Sequence, residues 1–280
     1  MADARRVMAD TIITCGAAQS NHALQTAAAA GKLDFDVVCV LDGPAPSGPA
    51  QGNLLLHEIL GTKIVWCEMN DDEARREQAR RRVMRETADI LRKDGRSPYI
   101  VPTGGSTAVG SLGYVAAVDE IVNQITRQDV GDISAVYFAS GSGGTHAGIA
   151  VGTRVSGWLT RIVGVDVDYI APDASGIRPF HRAIVRLANE TSELVGSGTV
   201  APAEIELCSD FAGPAYGVPT PEATAAAALL AASEGIFVDP VYTSKAFAAL
   251  LGHIKEQRYR CDETVIFWHT GGAPGLFAPH

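Results

Sequence analysis

Aromatic residues are scarce, at 6% of 280 residues, which argues against a nucleobase-stacking surface because such a surface needs ring faces in number. Positive charge is in deficit as well. With 23 Lys and Arg against 32 Asp and Glu the net charge is −9, so no basic patch is expected to recruit nucleic acid or an anionic membrane. The five cysteines, Cys15, Cys39, Cys67, Cys208 and Cys261, form no close pair, no CxxC and no His/Cys cluster with zinc spacing. A disulfide scaffold and a zinc site are thereby excluded from expectation, and mostly apolar-flanked thiols of this kind suit a reducing, cytoplasmic setting. The longest apolar run, 223–232, is alanine-rich and interrupted by Thr224, far short of a membrane span. Residues 1–10 carry Asp3, Arg5, Arg6 and Asp10 and lack the apolar centre of a signal peptide.

What the chain has is hydrophobic bulk, 46%, and 29 glycines, enough to bury a core and to turn tightly. Short β-type runs alternate with helical stretches. Strands are expected at 11–15 (TIITC), 37–41 (VVCVL), 64–67 (IVWC) and 99–101, separated by helices at 21–30, 53–60 and 71–93. The charges of 71–93 recur at i, i+3 and i+4 and read as a solvated helix face. A second series follows: helix 110–127, strand 135–139 (AVYFA), strand 162–167, helices 180–195 and 219–232, a short extended piece 237–239, helix 245–256 and strand 264–268 (TVIFW). The pattern predicts an α/β protein of two doubly wound lobes with parallel sheets, a smaller one at 1–108 and a larger one at 109–280.

Three groups of residues carry chemistry. The first, Cys15-Gly-Ala-Ala-Gln-Ser-Asn-His22, is a small-residue turn that opens a helix at a Ser/Asn cap, either a plain cap or an anion site at the positive end of a helix dipole. The second, Ser140-Gly141-Ser142-Gly143-Gly144-Thr145-His146-Ala147-Gly148, follows a strand and opens a helix. It fits neither G-x-G-x-x-G, nor a Walker loop, nor the G-x-S-x-G elbow, which leaves a mononucleotide-sized phosphate as the best reading of its glycines and hydroxyls. The third comprises Tyr216 in a Gly/Pro loop, Tyr242 at a strand-to-helix turn and His269-Thr270-Gly271-Gly272 after the last strand, all at strand ends where open α/β sheets place ligands.

Taken together, QSNH at 19–22, PTGGSTAVGSLGY at 102–114, SGSGGTHAG at 140–148, YGVP at 216–219, DPVYTSKA at 239–246 and HTGGAPGLFA at 269–278 resemble the D-cysteine desulfhydrase / 1-aminocyclopropane-1-carboxylate (ACC) deaminase family, in order and in spacing along the whole chain. These are fold-type II pyridoxal-phosphate (PLP) enzymes with a tryptophan-synthase-β-like architecture. The resemblance implies a cofactor site of Gly141, Ser142, Gly143, Gly144 and Thr145 on the phosphate, Asn21 on the pyridoxal 3′-oxygen, and Thr243 facing the pyridine nitrogen with Thr270 close by. Ser20, Asn21 and His22 would hold the substrate carboxylate, Tyr216 and Tyr242 would line the substrate pocket, and Ser20, Tyr216 and Tyr242 are the candidate catalytic residues. A small amino acid as substrate and a homodimer are implied too.

The sequence departs from the family at one large point. The family's Schiff-base lysine aligns before Met1, so the expectation is a chain without its lysine-bearing start and without the larger lobe's opening strand and helix. Lys245, the lysine nearest a site motif, corresponds to a second lysine that the family carries there. The resemblance also ranks substrates. Its deaminases carry Glu after the second Tyr, where this chain has neutral Thr243, a partner for a weaker electron sink. Release of a thiol from D-cysteine is the leading expectation, L-cysteate sulfo-lyase and ACC deaminase the alternatives, and a PLP-binding homologue without catalysis the competing class. The coding sequence upstream of Met1 is the cheapest discriminator.

Overall fold

The computed structural model describes residues 1–70, 72–168, 170–174, 176 and 178–278. It divides into two compact units, Met1–Gly105 with Pro274–His280, and Ser106–Ala273.

In the first unit α1 (Ala2–Arg6) precedes β1 (Thr11–Gly16), α2 (Asn21–Lys32), β2 (Asp36–Asp42), α3 (Asn53–Ile59), β3 (Lys63–Cys67), α4 (Glu73–Lys93) and β4 (Pro98–Ile100). The four strands form one parallel sheet in the order β3-β2-β1-β4. Side chains alternate across it with the two-residue period of a strand. Ile13, Cys15, Val38 and Val40 pack on Met84 and Ala88 of α4. Cys39 and Leu41 pack on Ala23 and Ala27 of α2 and Leu54 of α3. The outer face of α4 carries the ion pairs Arg81–Glu77 and Arg92–Asp89, as its charge spacing predicts.

The second unit runs α5 (Ala108–Gln128), β5 (Ile133–Ser140), α6 (Gly144–Ser156), β6 (Arg161–Asp166), α7 (Pro179–Val195), β7 (Glu206–Cys208), α8 (Pro221–Glu234), α9 (Thr243–Lys255) and β8 (Thr264–Phe267). Its sheet is again parallel, in the order β7-β6-β5-β8. Val136, Phe138 and Ile162 face Ile149 of α6 and Ile184 of α7, while Tyr137, Val163 and Val165 face Ala246, Ala249 and Leu250 of α9. Phe138 is fully buried, worth roughly 1.5–3 kcal/mol relative to an exposed ring.

The α/β class and the parallel sheets are as the sequence predicts, and among the described residues each sheet is made of four strands of one unit. Some elements differ. The expected extended piece 237–239 joins no sheet among the described residues; the edge beside β6 belongs to β7, a three-residue strand too short to show a period in sequence. The turn bearing Tyr242 therefore follows an unpaired run rather than a strand. The expected helix start at Asp71 lies outside the described residues. The division falls at 105/106, against the expected 108/109, and the chain beyond Pro274 groups with the first unit, where Ala278 Cα lies 3.1 Å from the point a methyl on Gly52 would occupy.

Candidate active site

Each sheet has one topological switch point. The chain moves from β1 through β2 to β3 and returns on the other side of β1 at β4; in the second unit it moves from β5 through β6 to β7 and returns beside β5 at β8. Loops leaving such a pair of neighbouring strands diverge, and ligands bind between them at the carboxyl ends. The turn before α2 and the glycine-rich turn before α6 both sit at these points.

In the first unit Ser20 caps α2, its Oγ accepting the Ala23 N–H at 3.2 Å. The amides of Asn21 and His22 lie in the first turn, where no intrahelical carbonyl reaches them, and point with the positive end of the helix dipole. The His22 ring is already engaged. Its Nε2 lies 2.9 Å from Thr14 Oγ1, its other side meets the Pro102 carbonyl, and burial pushes its pKa down to about 4. What His22 offers a carboxylate is its backbone amide, not an imidazolium. Asn21 is gripped from α3: Asn53 Nδ2 donates to Asn21 Oδ1 at 2.8 Å and to the Gln19 carbonyl at 2.7 Å. Behind the turn Thr103 Oγ1 donates to Glu77 Oε2 at 2.7 Å, so the Cys15 thiol, 3.1 Å away, donates to Thr103. Burial pushes that thiol up to about 11, which leaves Cys15 protonated and structural.

In the second unit Gly143, at φ 91°, is the N-cap of α6, and the Ala147 N–H is bonded to its carbonyl at 2.9 Å. The Thr145 and His146 amides stand before that first bond, at the positive end of the helix. The Gly144 amide donates to Ser106 Oγ at 3.1 Å, and Ser106 donates in turn to Ser142 Oγ at 2.7 Å. A methyl on Gly144 would stand 2.9 Å from Ser106 Oγ, and one on Gly141 would stand 3.1 Å from Tyr242 Cε1. Both positions need glycine because Ser106 and Tyr242 already stand against them, which keeps the backbone of the turn bare at the start of α6. Its donors and hydroxyls suit a phosphate monoester, and the residues fit the pyridoxal phosphate that the sequence implies.

Tyr216 and Tyr242 are joined hydroxyl to hydroxyl and stack edge-on with ring centroids 6.0 Å apart. Thr243 is fully buried, and its Oγ1 donates to Asp239 Oδ1 at 2.6 Å while accepting the Asp239 N–H at 2.9 Å. The Asp239 carboxylate also receives the amides of Val241, Tyr242 and Thr243. Thr243 is therefore a neutral hydroxyl backed by a carboxylate, with its proton spent on Asp239, an arrangement that considering Thr243 alone does not reveal. Thr270 lies in the loop after β8 next to Gly271, whose carbonyl is 3.5 Å from Thr243 Oγ1. Lys245, in the first turn of α9, is fully buried, and its Nζ donates to the carbonyls of Val167 at 3.0 Å and Ala212 at 2.6 Å.

Below the phosphate turn, His146 is buried beside Phe138 with Nδ1 3.2 Å from Ser140 Oγ. Burial pushes its pKa down to about 3. The unfolded imidazole takes up a proton near pH 6.5, and the folded one refuses it until far lower. The stabilising difference is thus complete above about pH 6.5 and shrinks as the pH falls, by about 2 kcal/mol at pH 5. Urea unfolding at pH 7 and pH 5 checks this: the native chain should lose stability over that interval, and His146→Gln should lose clearly less.

The structure gathers Ser20, Asn21 and His22 into one turn of the first unit. It sets Gly141, Ser142, Gly143, Gly144, Thr145, Tyr242 and Thr243 around the ends of β5 and β8 in the second, with Tyr216 joined to Tyr242. Sequence reasoning missed Asn53, Ser106 and Asp239. Ser106 and Asp239 lie inside quoted motifs, but Asn53 sits in a stretch that reads as an ordinary amphipathic helix start.

Comparison with known proteins places these features in context. The family model for the pyridoxal-phosphate dependent enzymes matches residues 1–271. A D-cysteine desulfhydrase of Yersinia enterocolitica is 41% identical over all of this chain and 81% of its own length. One from Klebsiella pneumoniae is 40% identical with the same coverage. Among solved structures, an ACC deaminase homologue superposes with a TM-score of 0.83 at 34% identity, over 98% of this chain and 78% of that one. A threonine deaminase shares the fold at 18% identity, with a TM-score of 0.62 over 95% of this chain and 78% of its own.

Proposed function

Because the chain belongs to the pyridoxal-phosphate-dependent enzyme family, we propose that it is a carbon–sulfur lyase acting on a small sulfur amino acid, D-cysteine first. In that reaction the Cα–H and Cβ–S bonds break, the thiol leaves with a proton, and water completes the release of pyruvate and ammonia. The observation that carries the proposal is the glycine-rich turn that opens α6 at the switch point of the second unit, with its first-turn amides and with the Tyr216–Tyr242 hydroxyl pair against Gly141. The 41% identity to D-cysteine desulfhydrases supports the choice of substrate.

Bound pyridoxal phosphate would supply the electron sink for a carbanion at the substrate Cα. The chain's own residues would do the rest. The Thr145 amide and the hydroxyls of Ser142 and Thr145 would hold the phosphate, with Gly143 and Gly144 shaping the turn and the Gly144 amide already held by Ser106 Oγ. Thr243, fixed by Asp239, faces the ring nitrogen with Thr270 nearby, and Asn21 meets the 3′-oxygen. The amides of the Ser20–His22 turn bind the substrate carboxylate, and Ser20 Oγ keeps a proton to donate, since its oxygen accepts from Ala23. The paired hydroxyls of Tyr216 and Tyr242 can pass a proton to a departing sulfur. A homodimer in the cytoplasm completes the proposal. Among the described residues no helix is long and apolar enough to cross a membrane, and no group of three or more His, Cys, Asp or Glu could hold a metal ion.

Pyruvate release from D-cysteine, L-cysteate and ACC, measured with pyridoxal phosphate on a chain supplied with the family's lysine-bearing segment ahead of Met1, tests the reading. D-cysteine is expected to lead. ACC as clearly the best substrate would overturn the order, and cofactor binding with no turnover of any of the three would favour the non-catalytic class.

A further inference from the structure

Asn53 is an oddity of the first unit: a polar side chain with no exposed surface, at the first position of α3, in contact with the turn that carries Asn21. It is tied to that turn three times. Its backbone N–H donates to Gln19 Oε1 at 2.8 Å, and its Nδ2 donates to the Gln19 carbonyl at 2.7 Å and to Asn21 Oδ1 at 2.8 Å. Its own Oδ1 is buried without a partner. Leaving a buried amide oxygen unmade is costly, and a leucine of similar size would avoid the cost. What the position uses is the two donors.

Which end of the Asn21 amide faces outward follows from these contacts without ambiguity. The Gln19 carbonyl can only accept, so the Asn53 atom beside it must be the nitrogen. That nitrogen's second proton is directed at Asn21, so the Asn21 atom facing it must be the oxygen. The NH2 of Asn21 is then the end left to a ligand. Gly52 permits the approach: at φ 58°, it stands where a methyl would come 2.6 Å from Gln19 Oε1.

We propose that Asn53 is a positioning residue that fixes the Asn21 amide with its NH2 outward, so that Asn21 meets the cofactor's 3′-oxygen as a donor. The inference rests on the cofactor reading above. Its chemistry is polarity selection: an outward NH2 stabilises an anionic or accepting oxygen, whereas an outward amide oxygen would repel it. Asn53→Leu removes the lock while filling the space. Asn53→Asp, which cannot donate, draws the Asn21 NH2 inward and turns its oxygen out.

The test is fluorescence titration with pyridoxine 5′-phosphate, whose alcohol cannot form an imine, and with its 3-deoxy analogue. Native protein is expected to prefer the oxygen-bearing ligand by about tenfold, the worth of one charge-assisted hydrogen bond. Asn53→Leu should erase the preference, Asn53→Asp should abolish or reverse it, and Asn53→Leu should change it no further in an Asn21→Ala background. An undiminished preference in both Asn53 variants would overturn the inference, as would an equal loss for both ligands, the mark of a purely structural role. Native protein that binds both ligands equally well overturns the inference alone. Native protein that binds neither overturns the cofactor reading along with it.

Discussion

Lys245→Met is expected to lower the unfolding free energy by about 3 kcal/mol and to loosen the segment that carries Tyr216. The ammonium is fully buried and satisfies two carbonyls, those of Val167 and Ala212. Removing it leaves both oxygens in a dry interior, at about 1–3 kcal/mol each before relaxation. It also removes a positive charge from the neighbourhood of Asp166, Asp168 and Asp239. Ala212 leads into the Gly213–Pro219 loop, so the loop loses an anchor at its root. Chemical denaturation of the native and variant chains, with limited proteolysis mapped to 212–219, measures both effects. The same burial gives a second outcome. Burial lowers the Lys245 pKa while the three aspartates raise it, and the nitrogen has no open surface for an aldehyde carbon to approach. Borohydride reduction after addition of pyridoxal phosphate should therefore leave Lys245 unmodified. A stoichiometric pyridoxyl adduct there would identify it as a relocated catalytic lysine.

Gly143→Val is expected to weaken pyridoxal phosphate binding about 100-fold or more. Gly143 sits at φ 91°, a conformation that a β-branched residue reaches only at a cost of about 1–3 kcal/mol. Its first side-chain carbon would stand 3.2 Å from Ile184 Cγ1 in the core beneath. The turn would have to shift, taking the first-turn amides of α6 out of line. Each charge-assisted hydrogen bond lost to the phosphate is worth about 1.5–3 kcal/mol, so two suffice for the effect. Titration with pyridoxal, which lacks the phosphate, is the control. Its affinity should change little, and an equal fall for both ligands would mean that the variant damages the unit rather than the cradle.

Much of this was legible in the residues. Alternating apolar strands and 3.6-period helices gave two parallel α/β layers because burying one face of each element fixes their periods locally. The turns before α2 and α6 could be found because an N-cap and a glycine run have sequence signatures of their own. Strand β7 could not be found that way, since three half-buried residues show no period. Nor could the placement of 237–239 outside the sheet, since its apolar residues read as a strand until the sheet gives the edge position to another segment.

The site divides along the same line. Sequence by itself determined which residues stand at the turns: Ser20, Asn21, the 140–148 loop, Tyr216, Tyr242 and Thr243. It also determined the helix-end polarity that makes the turns receptive to anions, because that polarity belongs to a helix wherever it lies. Only the tertiary structure decided what those residues have left to offer. His22 is neutral because folding buries it, and its ring is taken up by Thr14 and Pro102; Thr243 has spent its proton on Asp239; Lys245 is consumed by two carbonyls; and Asn21 presents its NH2 because Asn53, 32 residues away in the chain, holds the other end. The physical reason is common to all four. A hydrogen-bonding group has a fixed number of protons and lone pairs, and which of them remain for a ligand depends on partners that only folding brings within about 3 Å.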